Sequence, residues 1–403
     1  MKFVVPMAGA GTRLRPFTFS KPKGFFKVAG KRLIDHILDK FRQSTATTSD
    51  LLIITGSEER AIKIYLESEY SSSFNITFES QAPKGYHGNI PYFGGLGQAI
   101  YLSEKWYKSK ISSYESNDPE DYAIINLNDM LPLAGYSNFV SLLCGEEFTQ
   151  QLENRVDDFK DNDDRHSITR TNSLTEVDGV IGIMKVPKSR ISSYGIVTVD
   201  SQTGYINSLV EKPEHSSSNL AITGVYGFKP NTMKNLYKFL KIEVEKFEGK
   251  DGEAQLTPAI QDLVSNGFKL APMEFSQGIL DFGKYDTLLE GNKFLLTQQD
   301  NVLGDLVGEI SNSSIKSPSF IGKNVQMKNC VIGPYCSIGD NCVLHDCIVR
   351  NSVIGDGCLL EKIITKNSII GDYVVMDDII KEDMLIGDQS NIRSSKNHIG
   401  NSV

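Results

Sequence analysis

Lys2-Phe3-Val4-Val5-Pro6-Met7-Ala8-Gly9-Ala10-Gly11-Thr12-Arg13-Leu14-Arg15-Pro16 follows the initial methionine. Its first half is an apolar run, far too short to span a bilayer and without the layout of a signal peptide. Residues 2–7 read as a buried strand. Its second half is a glycine-rich turn ending in cations. Glycines let backbone amides approach a phosphate chain without side-chain obstruction, so a strand running into this turn suits an anionic ligand. The turn is not a P-loop, because no Gly-Lys-Ser/Thr closes it. Nor is it a dinucleotide fingerprint, because Leu14 stands where a third glycine would be.

The same strand–helix alternation continues outward. Leu33, Ile34, Ile37, Leu38 and Phe41 recur at helical spacing and predict a helix over 32–42 with one apolar face. Residues 51–55 read as the next buried strand, 58–67 as a surface helix, and 74–79 and 122–127 as further strands. Alternation of this kind predicts an α/β fold: a Rossmann-like mixed sheet, mostly parallel, with helices on both faces. The stretch 145–176 is polar and reads as a solvated surface segment.

Near residue 300 the pattern changes. Ile332-Gly333-x-x-Cys336-x-Ile338-Gly339-x-x-Cys342-x-Leu344 is followed by Ile354-Gly355-x-x-Cys358-x-Leu360 and Ile370-Gly371-x-x-Val374-x-Met376. An aliphatic residue, a glycine and a small residue four positions after the aliphatic one, repeated every six, mark a parallel β-helix of hexapeptide repeats. About four coils fit between residues 314 and 389 on this reading. The expected organisation is a domain over 1–300 and a β-helix domain over 301–403. Cys336, Cys342 and Cys358 fall in the small-residue slot, so the cysteines of this half read as core residues rather than a metal cluster. His345 reads as a turn residue.

Composition bounds the function. The chain has 403 residues, 40% apolar and 23% charged, with a net charge of −8. That balance argues against a nucleic-acid partner. No segment is long and apolar enough for a membrane span, and six cysteines in a chain of this length fit reduced thiols. A cytoplasmic protein is expected.

With Pro16 and Pro22-Lys23 added to the glycine turn, residues 4–36 resemble the signature of the sugar-phosphate nucleotidylyltransferase family, which includes thymidylyl-, uridylyl-, adenylyl- and guanylyltransferases and in which a C-terminal left-handed β-helix is a frequent companion. The likeness extends downstream in order: Gln81 and Gly95-Leu96-Gly97-Gln98-Ala99, Asn128-Asp129, Tyr194-Gly195, Glu211-Lys212-Pro213, Gly224-Val225-Tyr226, Gly252-Glu253-x-Gln255-Leu256-Thr257, and Leu280-Asp281-Phe282-Gly283. The resemblance implies Mg²⁺-dependent transfer of a nucleotidyl group from an NTP to a sugar 1-phosphate, with release of pyrophosphate. It assigns Arg13 and Lys23 to catalysis and Asp129 and Asp281 to Mg²⁺. Ala8, Gly9, Gly11, Thr12, Gln81, Gly95, Leu96 and Asn128 go to the nucleotide, and Gly195, Glu211, Lys212 and Tyr226 to the sugar phosphate.

These residue types suit that chemistry. Both reactants are anions, so the barrier is charge repulsion and positioning. Arg13 offers a planar fork to the departing pyrophosphate, and Lys23 a compact charge to the α-phosphate. The sugar phosphate is already ionised at neutral pH, so no protein nucleophile is required. Gly-Leu-Gly-Gln-Ala is similar to the thymidylyl and uridylyl branches, which favours dTTP or UTP with glucose 1-phosphate. A Gln amide can offer one donor and one acceptor to a pyrimidine edge.

The chain departs from the family pattern at Gly24 after Pro22-Lys23, at Asn128 before Asp129, at Ile279, and in an insert over 82–94. Two other readings stand beside this one. A bifunctional enzyme with an N-acetyltransferase β-helix would need a catalytic histidine, for which His345 and His398 are available. A regulatory relative would bind nucleotide sugar without turnover. The β-helix is expected to be an assembly or regulatory module, because stacked coils give flat faces for self-association, and a homo-oligomer is expected.

Overall fold

In the computed structural model, the described residues are 1–9, 11–44, 49–56, 59–88, 90–146, 176–275, 277–298 and 309–394. Most of the polar stretch expected at 145–176, as well as Ala10 and His398, lies outside them. Two compact units are present: Met1–Gly9 with Ile37–Ile279, and Ala10–His36 with Leu280–Val403. The division differs from a single boundary at residue 300. The segment after the glycine turn bonds to the C-terminal strands, and so groups with them.

The first unit is a mixed α/β sheet. Its strands run in the order Ile206–Glu211, Gly195–Val199, Leu220–Phe228, Ala123–Asn126, Lys2–Pro6, Ser49–Thr55, Phe74–Ser80, and Gly179–Lys185 and Leu270–Glu274 extend it. Lys2–Pro6 lies between parallel neighbours on both sides, and all of its residues are buried. That is why it reads as a continuous apolar run rather than an alternation. Successive side chains still point to opposite faces. Phe3 stacks on Phe41 at 4.2 Å, and Phe41 packs on Tyr136. Val4 joins the other core, with Leu52, Ala99, Ile100 and Ile125. Both faces of the sheet are therefore covered.

The elements expected from the sequence occur close to their places. The helix at 32–42 runs Leu33–Gln43, and the strands at 51–55 and 74–79 run Ser49–Thr55 and Phe74–Ser80. The surface helix at 58–67 continues to Tyr70, where Tyr70 packs beside Phe74. Leu220–Phe228 pairs antiparallel with three strands, which turns this half of the sheet antiparallel. The insert at 82–94 holds an antiparallel hairpin, Gly85–His87 with Ile90–Tyr92.

In the second unit, Ser319–Ile321, Cys336–Ile338, Val353–Ile354, Ile369–Ile370 and Leu385–Ile386 form a parallel ladder. Corresponding residues are 17 apart at the first step and 16 apart afterwards. A second curled sheet of short parallel strands completes the stack. The ladder has five layers, one more than the hexapeptide count suggests. Ile338, Cys342, Leu344, Cys347, Val349 and Cys358 have no exposed surface. The thiols of Cys336, Cys342 and Cys358 donate to carbonyls of Val349, Gly355 and Gly371 at 3.3, 3.1 and 3.0 Å. A small side chain with a weak donor fits this narrow interior. Burial pushes the Cys336 thiol up to about 11, so it stays protonated.

The corners of the stack need left-handed backbone, and Asn and Asp adopt it with little strain. Asn312, Asn329 and Asp346 have φ of 47°, 55° and 55°. Their side chains bond one another, Asn312 to Asn329 at 2.7 Å and Asn329 to Asp346 at 2.8 Å.

Candidate active site

In the first unit, Asn128 and Asp129 sit on a tight turn between the strands Ala123–Asn126 and Met130–Pro132, both half-buried. Asn126, fully buried at the strand end, holds this turn. Its Nδ2 donates to the carbonyls of Leu127 at 2.8 Å and Met130 at 2.9 Å, and its Oδ1 accepts from the Tyr136 hydroxyl at 2.8 Å. The Leu127 amide donates to Gly224 O at 3.0 Å, which ties the turn to the Gly224-Val225-Tyr226 segment. The Asp129 carboxylate is thus carried by a turn whose shape is set from both sides.

Ala8 is buried at the end of the first strand, beside Gly56, and Gly9 is exposed with open space where a Cβ would stand. Gln81 is also buried, its amide N donating to Gly95 O at 3.1 Å and Gln98 Oε1 at 2.8 Å. Both N–H groups of this amide are therefore used inside the protein. Gly95 has φ of 90°, and an added Cβ would lie 2.6 Å from Ala254 O. Only glycine combines that backbone with that approach. The Ala254 carbonyl accepts the Gly97 amide at 2.8 Å, and the Ala254 amide donates to Gly94 O at 2.8 Å. Leu96 packs against the core beside them. The insert reaches the same region, because the Lys84 ammonium donates to Lys250 O and Gly252 O.

Elsewhere in the same unit, Gly195 pairs with Glu211 in adjacent antiparallel strands. Glu211 Oε2 accepts from the Thr257 hydroxyl at 2.6 Å, and Oε1 pairs with Lys212 Nζ at 2.9 Å. Lys212 has φ of 43° and donates its amide to Tyr194 O at 3.1 Å. Tyr226 is 4% exposed, and burial, with Glu211 adding to it, pushes its phenol upward, so it stays a neutral group.

In the second unit, Gly11 has φ of 57° and accepts the Thr18 hydroxyl at 2.9 Å on its carbonyl. Thr12 and Arg13 are exposed on the short turn Thr12–Leu14, whose Leu14 is fully buried. Lys23 begins another short turn, Lys23–Phe25, and is half-buried. Asp281 ends the strand Ile279–Asp281 and accepts the Gly283 amide on Oδ1 at 2.7 Å. His345 is exposed at the end of Val343–His345.

The residue assignments from the sequence name charged side chains and glycine-rich backbone. They miss the groups that hold those in place: Asn126, Tyr136, Thr257 and the Ala254 carbonyl. Thr257 stands within the Gly252–Thr257 motif, but its partner Glu211 lies 46 positions away. Asn126 carries one visible signal, a polar residue closing an otherwise apolar strand.

A family model described as nucleotidyl transferase matches residues 2–140 and 157–298, more than half of the chain. Glucose-1-phosphate thymidylyltransferase of Streptomyces griseus is 25% identical over 369 residues, covering 88% of this chain and 87% of the relative. UTP–glucose-1-phosphate uridylyltransferase 1 of Staphylococcus saprophyticus is 28% identical over 274 residues, 66% of this chain and 82% of the relative. Among solved structures, a UDP-glucose pyrophosphorylase complexed with UDP-glucose superposes with a TM-score of 0.53 at 20% identity, over 74% of this chain and 99% of that one. That last likeness concerns the fold alone. No helix among the described residues is long and apolar enough to cross a membrane. With the signature turn, the braced Asn128-Asp129 turn and the family match in agreement, the chain belongs to the nucleotidyl transferase family and is a nucleotidyltransferase.

Proposed function

We propose that this enzyme transfers a nucleotidyl group from dTTP or UTP to glucose 1-phosphate, forming the NDP-sugar and pyrophosphate. The observation that carries the sugar-phosphate half is the corner at Glu211 and Lys212. There a carboxylate held by Thr257 stands next to a cation on a strained backbone position. A carboxylate accepts hydroxyl protons of a sugar, and an ammonium pairs with its phosphate. The Glu211–Lys212 pair is part-exposed and weak, so a phosphate can take the lysine from it. Relatives named for glucose 1-phosphate transfer support the choice of sugar.

A phosphate oxygen of the sugar phosphate attacks the α-phosphorus, a new P–O bond forms, and the bond to the β-phosphate bridging oxygen breaks. Pyrophosphate leaves with that electron pair. Arg13 binds the departing group, and Lys23 stabilises charge on the α-phosphate. The amides around Gly9 and Gly11 receive the NTP phosphates, while the Gln81 oxygen and the backbone at Gly95 face the base. Asp129 and Asp281 are hard oxygen donors of the kind that hold Mg²⁺ when substrate phosphates complete its coordination. When bound, Mg²⁺ would neutralise phosphate charge. The C-terminal parallel stack is, in this reading, the left-handed β-helix its hexapeptides imply.

The test is a panel of NTPs with glucose 1-phosphate and Mg²⁺, read as pyrophosphate release and as NDP-glucose formed. Turnover with dTTP or UTP that depends on the sugar phosphate is expected. Exclusive use of ATP or GTP, or release independent of the sugar phosphate, refutes the assignment.

A further inference from the structure

Within the second unit, Ile338-Gly339-Asp340 recurs as Ile354-Gly355-Asp356, Ile370-Gly371-Asp372 and Ile386-Gly387-Asp388. The four aspartates form a column along the stack. On each, Oδ1 accepts the backbone N–H at the same corner of the layer before. Asp340 takes Lys323 N at 2.8 Å, Asp356 takes Asp340 N at 2.9 Å, Asp372 takes Asp356 N at 3.0 Å, and Asp388 takes Asp372 N at 2.8 Å. These bonds are the structural duty of the column, and they leave Oδ2 of every carboxylate to other partners.

Those partners all come from one short segment more than 300 positions earlier. Lys27 Nζ bridges Asp340 Oδ2 at 3.0 Å and Asp356 Oδ2 at 2.8 Å. Lys21 Nζ bridges Asp372 and Asp388, reaching Asp388 Oδ2 at 3.3 Å. Ser20 Oγ donates to Asp388 Oδ2 at 2.5 Å. One lysine thus spans two adjacent layers and the other spans the next two, so spacings of two kinds match, the segment's and the stack's. Lys23 lies between the two clamped lysines, in a turn closed by the Phe25 amide on Pro22 O at 2.9 Å and the Phe26 amide on Lys23 O at 3.0 Å. The same segment is fixed again at its end. Ala29 N donates to Asn292 Oδ1 at 2.9 Å, and Ser337 Oγ donates to that same oxygen at 2.6 Å.

We propose that the aspartate column is a positioning device for the reaction: by clamping Lys21 and Lys27 it holds the turn between them, and with it Lys23, in the conformation that phosphate transfer uses. The positioning residues are Asp340, Asp356, Asp372 and Asp388. The proposal rests on the reading of Lys23 as the ligand of the α-phosphate. A shift of the turn carries its lysine with it, and a misplaced cation loses much of its worth to a transition state. The C-terminal stack then contributes to catalysis without touching substrate.

The test uses the full chain carrying Asp372→Asn and Asp388→Asn together. Asparagine keeps the Oδ1 acceptor that the stack needs and removes the anion that Lys21 needs. Two measurements are made: amide hydrogen exchange over residues 21–26, and steady-state kinetics with dTTP or UTP and glucose 1-phosphate. Exchange over 21–26 is expected to rise about tenfold while amides of Ile354 and Ile370 hold. The value of kcat is expected to fall about tenfold, with KM for glucose 1-phosphate within about twofold. Lys21→Met should reproduce both effects and Lys21→Arg should restore them. Unchanged exchange refutes the clamp, and raised exchange with unchanged kcat refutes the positioning of Lys23. If the wild-type protein shows no transfer with any NTP, the proposed reaction fails on its own, while the exchange measurement still supports or refutes the clamp.

Discussion

The two compact units place polar groups by opposite kinds of order. In the first, each turn of the candidate site has its own brace: Asn126 for the turn at Asp129, Thr257 for Glu211, the Ala254 carbonyl for the segment at Gly95. No brace substitutes for another. In the second, one arrangement is repeated along the stack, and Lys21 and Lys27 each have two carboxylates. Irregular order can aim a group anywhere but depends on single side chains. Repeated order is redundant but can aim only along a line.

Losing a brace should therefore cost more than losing a rung. Asn126→Leu strips the Leu127 and Met130 carbonyls and the Tyr136 hydroxyl of a buried partner. A loss of about 3 kcal/mol in urea unfolding is expected, since each buried group left unsatisfied costs about 1–3 kcal/mol. A loss below about 1 kcal/mol would show that the turn at Asp129 holds itself.

Gly95→Ala comes next. It forces a Cβ to 2.6 Å from the Ala254 carbonyl at a φ of 90°, and should cost about 1–3 kcal/mol. If Gly95 belongs to the nucleotide side, KM for the NTP should rise while KM for the sugar phosphate changes less. Equal changes in both would separate this segment from base recognition.

The smallest effect should be a single rung. Asp340→Asn leaves Lys27 paired with Asp356, and the part-exposed pair it removes is worth about 1 kcal/mol or less. Partial burial opposes ionisation of Asp340, but the Lys323 amide and the Lys27 ammonium outweigh it and hold the carboxyl below its ordinary 3.8. Burial likewise opposes the charge on Lys27, and Asp356 and Asp340 together raise it above 10.5. The Asp340 contribution is present above pH 3.8 and is lost as pH falls through its lowered value. The Lys27 contribution is present below pH 10.5 and is lost as pH rises through its raised value. Wild type and Asp340→Asn should thus differ between those limits and converge in acid, as measured by unfolding at a series of pH values. A difference that persists at pH 2 would assign the effect to the amide in the column rather than to charge.

Much of this was legible in the residues. The apolar run at Lys2–Pro6, the helical face from Leu33 to Phe41 and the Ile-Gly repeats each follow from local periodicity, because burial of one face imposes a period on the chain. The signature turn and the paired motifs named the charged groups of the candidate site. The Asn126 brace was not legible, because one buried asparagine has no pattern around it. Neither was the orientation of Gln81, whose two N–H groups are claimed by Gly95 and Gln98. A side chain's hydrogen-bond partners are chosen by whatever the fold brings near.

The sequence by itself determined the class of chemistry, the alternating α/β half and the repeating C-terminal half, since these rest on residue type and spacing along one chain. Only the tertiary structure decided where the segment from Ala10 to His36 belongs. Its lysines and the Ile-Gly-Asp aspartates are both plain in the sequence, yet nothing local links them. Their pairing depends on the distance between stacked layers matching the reach of two lysines, and that distance exists only once the layers have formed.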